Sequence, residues 1–117
     1  MSKEQARQWL QEAVGDEGID FRRGQWDAID AIVNRRRRLL VVERTGWGKS
    51  IVYFLSARLL RQGRPNALTI VVSPLISLMR NQIEQAQRIL VKAVTINASN
   101  TDDWQQHFEV RYVKIMF

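Results

Sequence analysis

The 117-residue chain carries 18 Lys and Arg against 12 Asp and Glu, a net charge of +6, with 45% hydrophobic residues, four tryptophans, two prolines and no cysteine. Its length supports one small globular unit rather than two, its apolar content argues against intrinsic disorder, and the lack of cysteine excludes a disulfide framework and a thiolate metal site. No apolar run approaches membrane-spanning length, so a soluble cytoplasmic protein with no membrane partner is expected, and the positive balance favours an anionic partner, weakly on its own.

From the N-terminus, Ala6, Trp9, Leu10, Ala13 and Val14 share one helical face over Gln5 to Val14, and Gly15-Asp16-Glu17-Gly18 stops that helix. An irregular stretch from Ile19 to Gln25 leads into a second amphipathic helix with Trp26, Ile29, Ile32 and Val33 on one face and Gln25 in its first turn. Arg35-Arg36-Arg37-Arg38 follows. The run reads either as a nucleic-acid patch or as the solvated C-terminal end of that helix, where cations complement the dipole; the second reading is preferred.

Leu39-Leu40-Val41-Val42 suits a buried parallel strand, and Thr45-Gly46-Trp47-Gly48-Lys49-Ser50 runs directly from it into a segment of helical periodicity, Ile51 to Arg61. Strand, glycine loop and helix start in that order make a phosphate-binding loop. Backbone N–H groups wrap a triphosphate, the helix N-terminus adds unpaired N–H groups and its positive dipole end, Lys49 reaches the terminal phosphates and the Ser50 hydroxyl ligates magnesium. Glu43 stands where the first small residue of the pattern is usual, so the signal is Gly-x-Gly-Lys-Ser in context.

Beyond the turn at Gln62 to Asn66, Leu68-Thr69-Ile70-Val71-Val72 has the β-branched, apolar character of a strand covered on both faces. Ser73-Pro74 opens a helix with Leu75, Leu78, Met79, Ile83, Ala86 and Leu90 at helical spacing; Ala93 to Ile96 is a third strand, Thr101 to Trp104 a helix start, and Val110 to Phe117 a further strand. This alternation predicts an α/β fold with an open parallel sheet and flanking helices, binding ligands beyond the carboxyl ends of its strands.

Three separated strings now coincide with one family. Phe21-Arg22-Arg23-Gly24-Gln25, Arg44 to Ser50, and Val72-Ser73-Pro74-Leu75-Ile76-Ser77-Leu78-Met79-Arg80-Asn81-Gln82 resemble, in order and spacing, the first three motifs of RecQ-like DNA helicases, and Val94 to Asn100 is similar to the segment that follows them. The resemblance spans nearly the whole chain. It implies part of a RecA-like P-loop NTPase domain over residues 1–117, with residues 1–38 an N-terminal helical segment carrying an adenine-recognition motif. It further implies that Gln25 reads the adenine edge with Arg22 near the base, that Thr45, Gly46, Trp47, Gly48, Lys49 and Ser50 hold ATP and Mg2+, and that Ser73, Arg80 and Asn81 contact the backbone of single-stranded or partially duplex DNA. Lys49 is the one catalytic candidate, and the remainder of the motor is an expected partner.

The departures from the family pattern are specific. Glu43-Arg44 replaces a small or apolar residue and proline, Trp47 fills a position often taken by glycine, and Asn81 stands in for a common aspartate. Trp47 either stacks at the loop or packs on a neighbouring segment. The acidic pair that motor hydrolysis requires at the end of another apolar strand is not recognisable: Asp102-Asp103 follows a stretch too polar for one and reads as a helix start, while His107 has no catalytic companion. Val110 to Phe117 ends in mid-strand, leaving an edge that an intact domain pairs, so the chain reads as truncated. Two functions follow: the nucleotide- and DNA-binding portion of an ATP-dependent DNA helicase, inactive in unwinding by itself, or a non-catalytic nucleic-acid or partner-binding module retaining the phosphate loop.

Overall fold

The computed structural model describes residues 1–73, 76–88, 91–96 and 113–116. Four helices precede or separate three strands: α1 (Lys3–Val14), α2 (Gln25–Val33), α3 (Lys49–Gly63), β1 (Thr69–Val72), α4 (Ile76–Arg88), β2 (Ala93–Ile96) and β3 (Val113–Met116). The first helix begins at a reciprocal cap, in which the Gln5 N–H donates to Ser2 Oγ at 3.2 Å and the Ser2 N–H donates to Gln5 Oε1 at 3.1 Å. It ends at Gly15, whose left-handed φ of 74° lets its N–H return to the Gln11 carbonyl.

Helix α3 is the centre of the molecule because both of its faces are apolar. Val52, Leu55 and Leu59 join Ala6 and Leu10 of α1, Ala28, Ile29 and Val33 of α2, and Trp47 in one core cluster. Phe54 and Ala57 point the other way and pack with Ala86 of α4 and Val91, with Val71 of β1 and Ala93 of β2 against them. One helix therefore ties a helical layer to a layer that contains the sheet.

The sheet is parallel throughout, in the order β1-β3-β2, with Thr69 opposite Val113 on one side and Ala93 opposite Val113 on the other. This α/β arrangement with a parallel sheet is the expected class, but three expectations fail. First, Leu39 to Val42 is not a strand. Val41 packs on the first core cluster while Leu40 and Val42 stand 87% and 82% exposed. Apolarity makes a segment seek burial, but a strand also needs a ladder partner, and no described strand pairs with this one. Second, β1 is not covered on both faces: its burial alternates, and Val72 is 74% exposed. Third, the last strand is no edge. β3 is paired on both sides, which leaves β1 and β2 as the rims among the described residues. The expected helix start at Thr101 to Trp104, the doublet Asp102-Asp103, His107, and the residues Pro74 and Leu75 lie outside the described residues.

The arginine run behaves as the solvated end of α2, directly past Val33, with Arg35 to Arg38 all exposed. Asn34 Nδ2 donates to Asp30 Oδ1 at 2.7 Å and Arg35 Nε donates to Asp30 Oδ2 at 2.8 Å, and these bonds, that from Asn34 first, hold the Asp30 carboxyl below the usual carboxylate range.

Two outcomes follow from this packing. Phe54→Ala empties the contact between α3 and the sheet layer and is expected to cost about 3–5 kcal/mol in urea unfolding. A lowered folded-state pKa gives stability that is present above the unfolded value, about 3.9, and is lost as pH falls through the lower folded one. Wild type should therefore exceed Asp30→Asn in thermal midpoint at neutral pH, and the gap should close on acidification below about pH 4.

Candidate nucleotide site

The N-terminus of α3 is chemically unlike that of α1. Its N-cap is Gly48, no side chain caps it, and no acidic residue lies in its first turn, whereas α1 has both a capping box and Glu4. The leading N–H groups and the positive end of the α3 dipole thus stay available for an anion. Immediately before it the chain curls through Gly46 at φ 88° and Gly48 at φ 95°, conformations that side chains disfavour. The Trp47 N–H closes the turn on the Arg44 carbonyl at 3.3 Å.

A second segment, Arg22 to Gln25, is bonded to this loop. Gln25 is 1% exposed. Its Nε2 donates to the Trp47 carbonyl at 3.0 Å and the Gly48 carbonyl at 3.2 Å, and its Oε1 accepts from the Arg22 N–H at 2.8 Å. Both amide hydrogens are thereby engaged with the loop. The Arg22 guanidinium donates to the Gly46 carbonyl, and Lys49 Nζ donates to the Glu43 carbonyl. Arg22, Thr45, Gly46 and Lys49 are exposed; Gly48 and Ser50 are half-buried.

Trp47 resolves toward packing. It is 8% exposed, it belongs to the core cluster shared by α1, α2 and α3, and its indole Nε1 donates to the Arg23 carbonyl at 3.0 Å. Sequence reasoning left its role open. The signal was present in the pattern, since a bulky apolar residue between two glycines has to go somewhere, but its destination depends on a core assembled from three helices.

The structure brings Arg22, Gln25, Gly46, Trp47, Gly48 and Lys49 together, and sets Ser50 to one side. Gly24, Asp27, Ala28, Leu39 to Glu43 and Trp47 line a groove of about 440 Å³, whereas Ser50 lines a separate cavity of about 460 Å³ with Val14, Ile19, Ile51, Phe54, Gln85 and Arg88. Ser73 follows the carboxyl end of β1 but is buried; Arg80 and Asn81 are exposed on α4.

The close approach at Gly48 is testable. A Cβ there would lie 2.5 Å from Gln25 Nε2, while at Gly46 it would meet nothing within 4 Å. Both positions carry the strain of positive φ, but only Gly48→Ala must also expel the buried amide. It should lower stability by about 1–3 kcal/mol more than Gly46→Ala in chemical denaturation.

The model of the DEAD/DEAH box helicase family matches residues 22–117. The chain is 38% identical over 93 residues to the ATP-dependent DNA helicase RecQ of Haemophilus influenzae, covering 80% of this chain and 14% of that protein. It is 36% identical over 98 residues to the ATP-dependent helicase wrn-1 of Caenorhabditis elegans, covering 83% and 8%. Against the RecQ of Synechocystis the identity is 43% over 94 residues, covering 79% and 18%. The chain thus spans less than a fifth of the length of these relatives.

Proposed function

Since the chain belongs to the DEAD/DEAH box helicase family and is RecQ-like within it, we propose that it is the ATP-binding and DNA-contacting portion of an ATP-dependent DNA helicase. The observation that carries the reading is the bonding of Arg22 to Gln25 onto a glycine loop at the uncapped N-terminus of a helix buried on both faces. A base-recognising segment and a phosphate-recognising loop form one unit.

In this reading the loop amides of Thr45, Gly46 and Gly48 and the α3 N-terminus hold the phosphates, and Lys49 supplies a point charge to the terminal ones. Gln25 and Arg22 lie on the adenine side. Reading the adenine edge requires the Gln25 amide to exchange a loop carbonyl for the base. A single hydroxyl, Ser50, suits magnesium, which keeps most of its waters and takes phosphate oxygens beside one or two protein ligands. When bound, that ion supplies charge neutralisation of the phosphates. Arg80 and Asn81, exposed on α4, face DNA phosphates without reading sequence, and Ser73, buried just after β1, is the third candidate for that contact. The chain should not unwind DNA alone, because coupling hydrolysis to translocation needs acidic magnesium ligands and an arginine from a second motor domain.

Titrating labelled ATP and single-stranded DNA against wild type and Lys49→Ala tests this. The substitution should weaken ATP binding by about tenfold or more, ~1.4 kcal/mol, and leave DNA binding intact. DNA binding without any ATP signal in the wild-type chain would favour a nucleic-acid-binding module that merely retains the loop. Strand separation by residues 1–117 with MgATP would refute the predicted inactivity.

A further inference from the structure

We propose that Trp47 is a positioning residue that sets the spacing between the base-recognising segment and the phosphate loop. The inference rests on the nucleotide-site reading above and assigns a specificity role inside it. Three side chains join the two segments, and they are not equivalent. Arg22 and Gln25 reach from the base segment to loop carbonyls. Among the described residues Trp47 alone reaches back, its Nε1 donating to the Arg23 carbonyl at 3.0 Å.

The two directions differ in what they leave free for a ligand. Arg22 is exposed, and a base that uses the Gln25 amide has to take it from the Trp47 and Gly48 carbonyls. In the nucleotide-site reading the Gln25 contact is given up to the base, although Gln25 is the more deeply buried of the two residues (1% exposed against 8% for Trp47), and the contact of the exposed Arg22 is free to follow. The indole contact is not. Its ring belongs to the core cluster that includes Ala28, Ile29, Val52 and Leu55, and its Cζ2 lies 3.5 Å from where a Cβ on Gly24 would sit, so the ring lies against the turn that starts α2. A buried indole keeps its N–H partnered, and the partner here is backbone of the base segment.

Trp47 thus acts as a fixed spacer while Arg22 and Gln25 rearrange. A ligand with a base at one end and phosphates at the other gains both contacts only when their separation is preset. Inorganic tripolyphosphate, which touches the loop alone, does not depend on that separation. Base preference and not phosphate affinity is what Trp47 controls.

The experiment compares wild type, Trp47→Phe and Leu59→Val in binding of ATP, GTP and tripolyphosphate to the 117-residue chain. Phenylalanine keeps most of the ring packing and removes the N–H; Leu59→Val trims the same core without touching the loop. Trp47→Phe is expected to weaken ATP about tenfold, ~1.4 kcal/mol, to shrink the preference for ATP over GTP, and to leave tripolyphosphate within about twofold. Leu59→Val should leave all three unchanged. The proposal is overturned if Trp47→Phe keeps wild-type ATP affinity and base preference, or if it loses ATP and tripolyphosphate in equal measure, as a collapsed loop would. A wild-type chain that binds neither ligand removes the nucleotide reading itself, and the spacer role with it. Independently of any variant, the Trp47 indole N–H of the 15N-labelled wild-type chain should be protected from solvent exchange with and without ATP; rapid exchange in either state overturns the clamp.

Discussion

Burial of α3 on two sides is the constraint from which the rest of the molecule follows. A helix with one apolar stripe can rock on its support, but one gripped by α1 and α2 across Val52 and Leu55, and by α4 and the sheet across Phe54, has its axis fixed. Its first turn is then fixed too. Gly48 sits at that turn so close to the Gln25 amide that a Cβ there would have to push the amide aside, and at this contact the loop, α2 and the first turn of α3 meet. Site geometry is here a property of core packing, delivered through one backbone junction.

The charge distribution complements this. The positive end of α1 is closed by Ser2 and Glu4, and that of α2 carries Asp27 in its first turn, while that of α3 faces outward with neither. The arginines of Arg35 to Arg38 are exposed, with Arg35 paired to Asp30. The excess positive charge of the chain is thus spread over solvated positions, and the directed positive field at the loop comes from the α3 backbone and Lys49.

How much of this was legible in the sequence divides along a physical line. Features set by neighbours in the chain were readable: the stop at Gly15, the glycines of the loop, Gln25 in the first turn of α2, and most of the helical stripe of α1, although Val14 at its end is 43% exposed. Features set by distant partners were not. Leu39 to Val42 is as apolar as a buried strand, yet whether it is one depends on a ladder supplied from elsewhere, which hydropathy does not encode. The placement of β3 between β1 and β2 is invisible for the same reason, since chain order does not give strand order. Gln25 was legible as a residue of consequence only through the resemblance of Phe21 to Gln25 to a family motif; its commitment to two loop carbonyls was not, because those carbonyls belong to residues more than 20 positions away. Ser73, a DNA-contact candidate from its motif, is buried, and burial of a polar residue after a strand is not written in the motif.

The central position of β3 has a consequence for how the chain acquires this structure. Among the described residues β1 and β2 share no ladder with one another, and each is hydrogen-bonded only to β3. During synthesis the helices α1 to α3 can condense around their own core as they emerge, but the sheet has no first pair to form until its latest strand is present, and Thr69 must hold for Val113. Loop closure on that scale makes the sheet the slow, late-folding part and the helical layer the early one. The glycine loop, standing at the end of α3 that the helical layer grips, is built on the part of the molecule that is complete first.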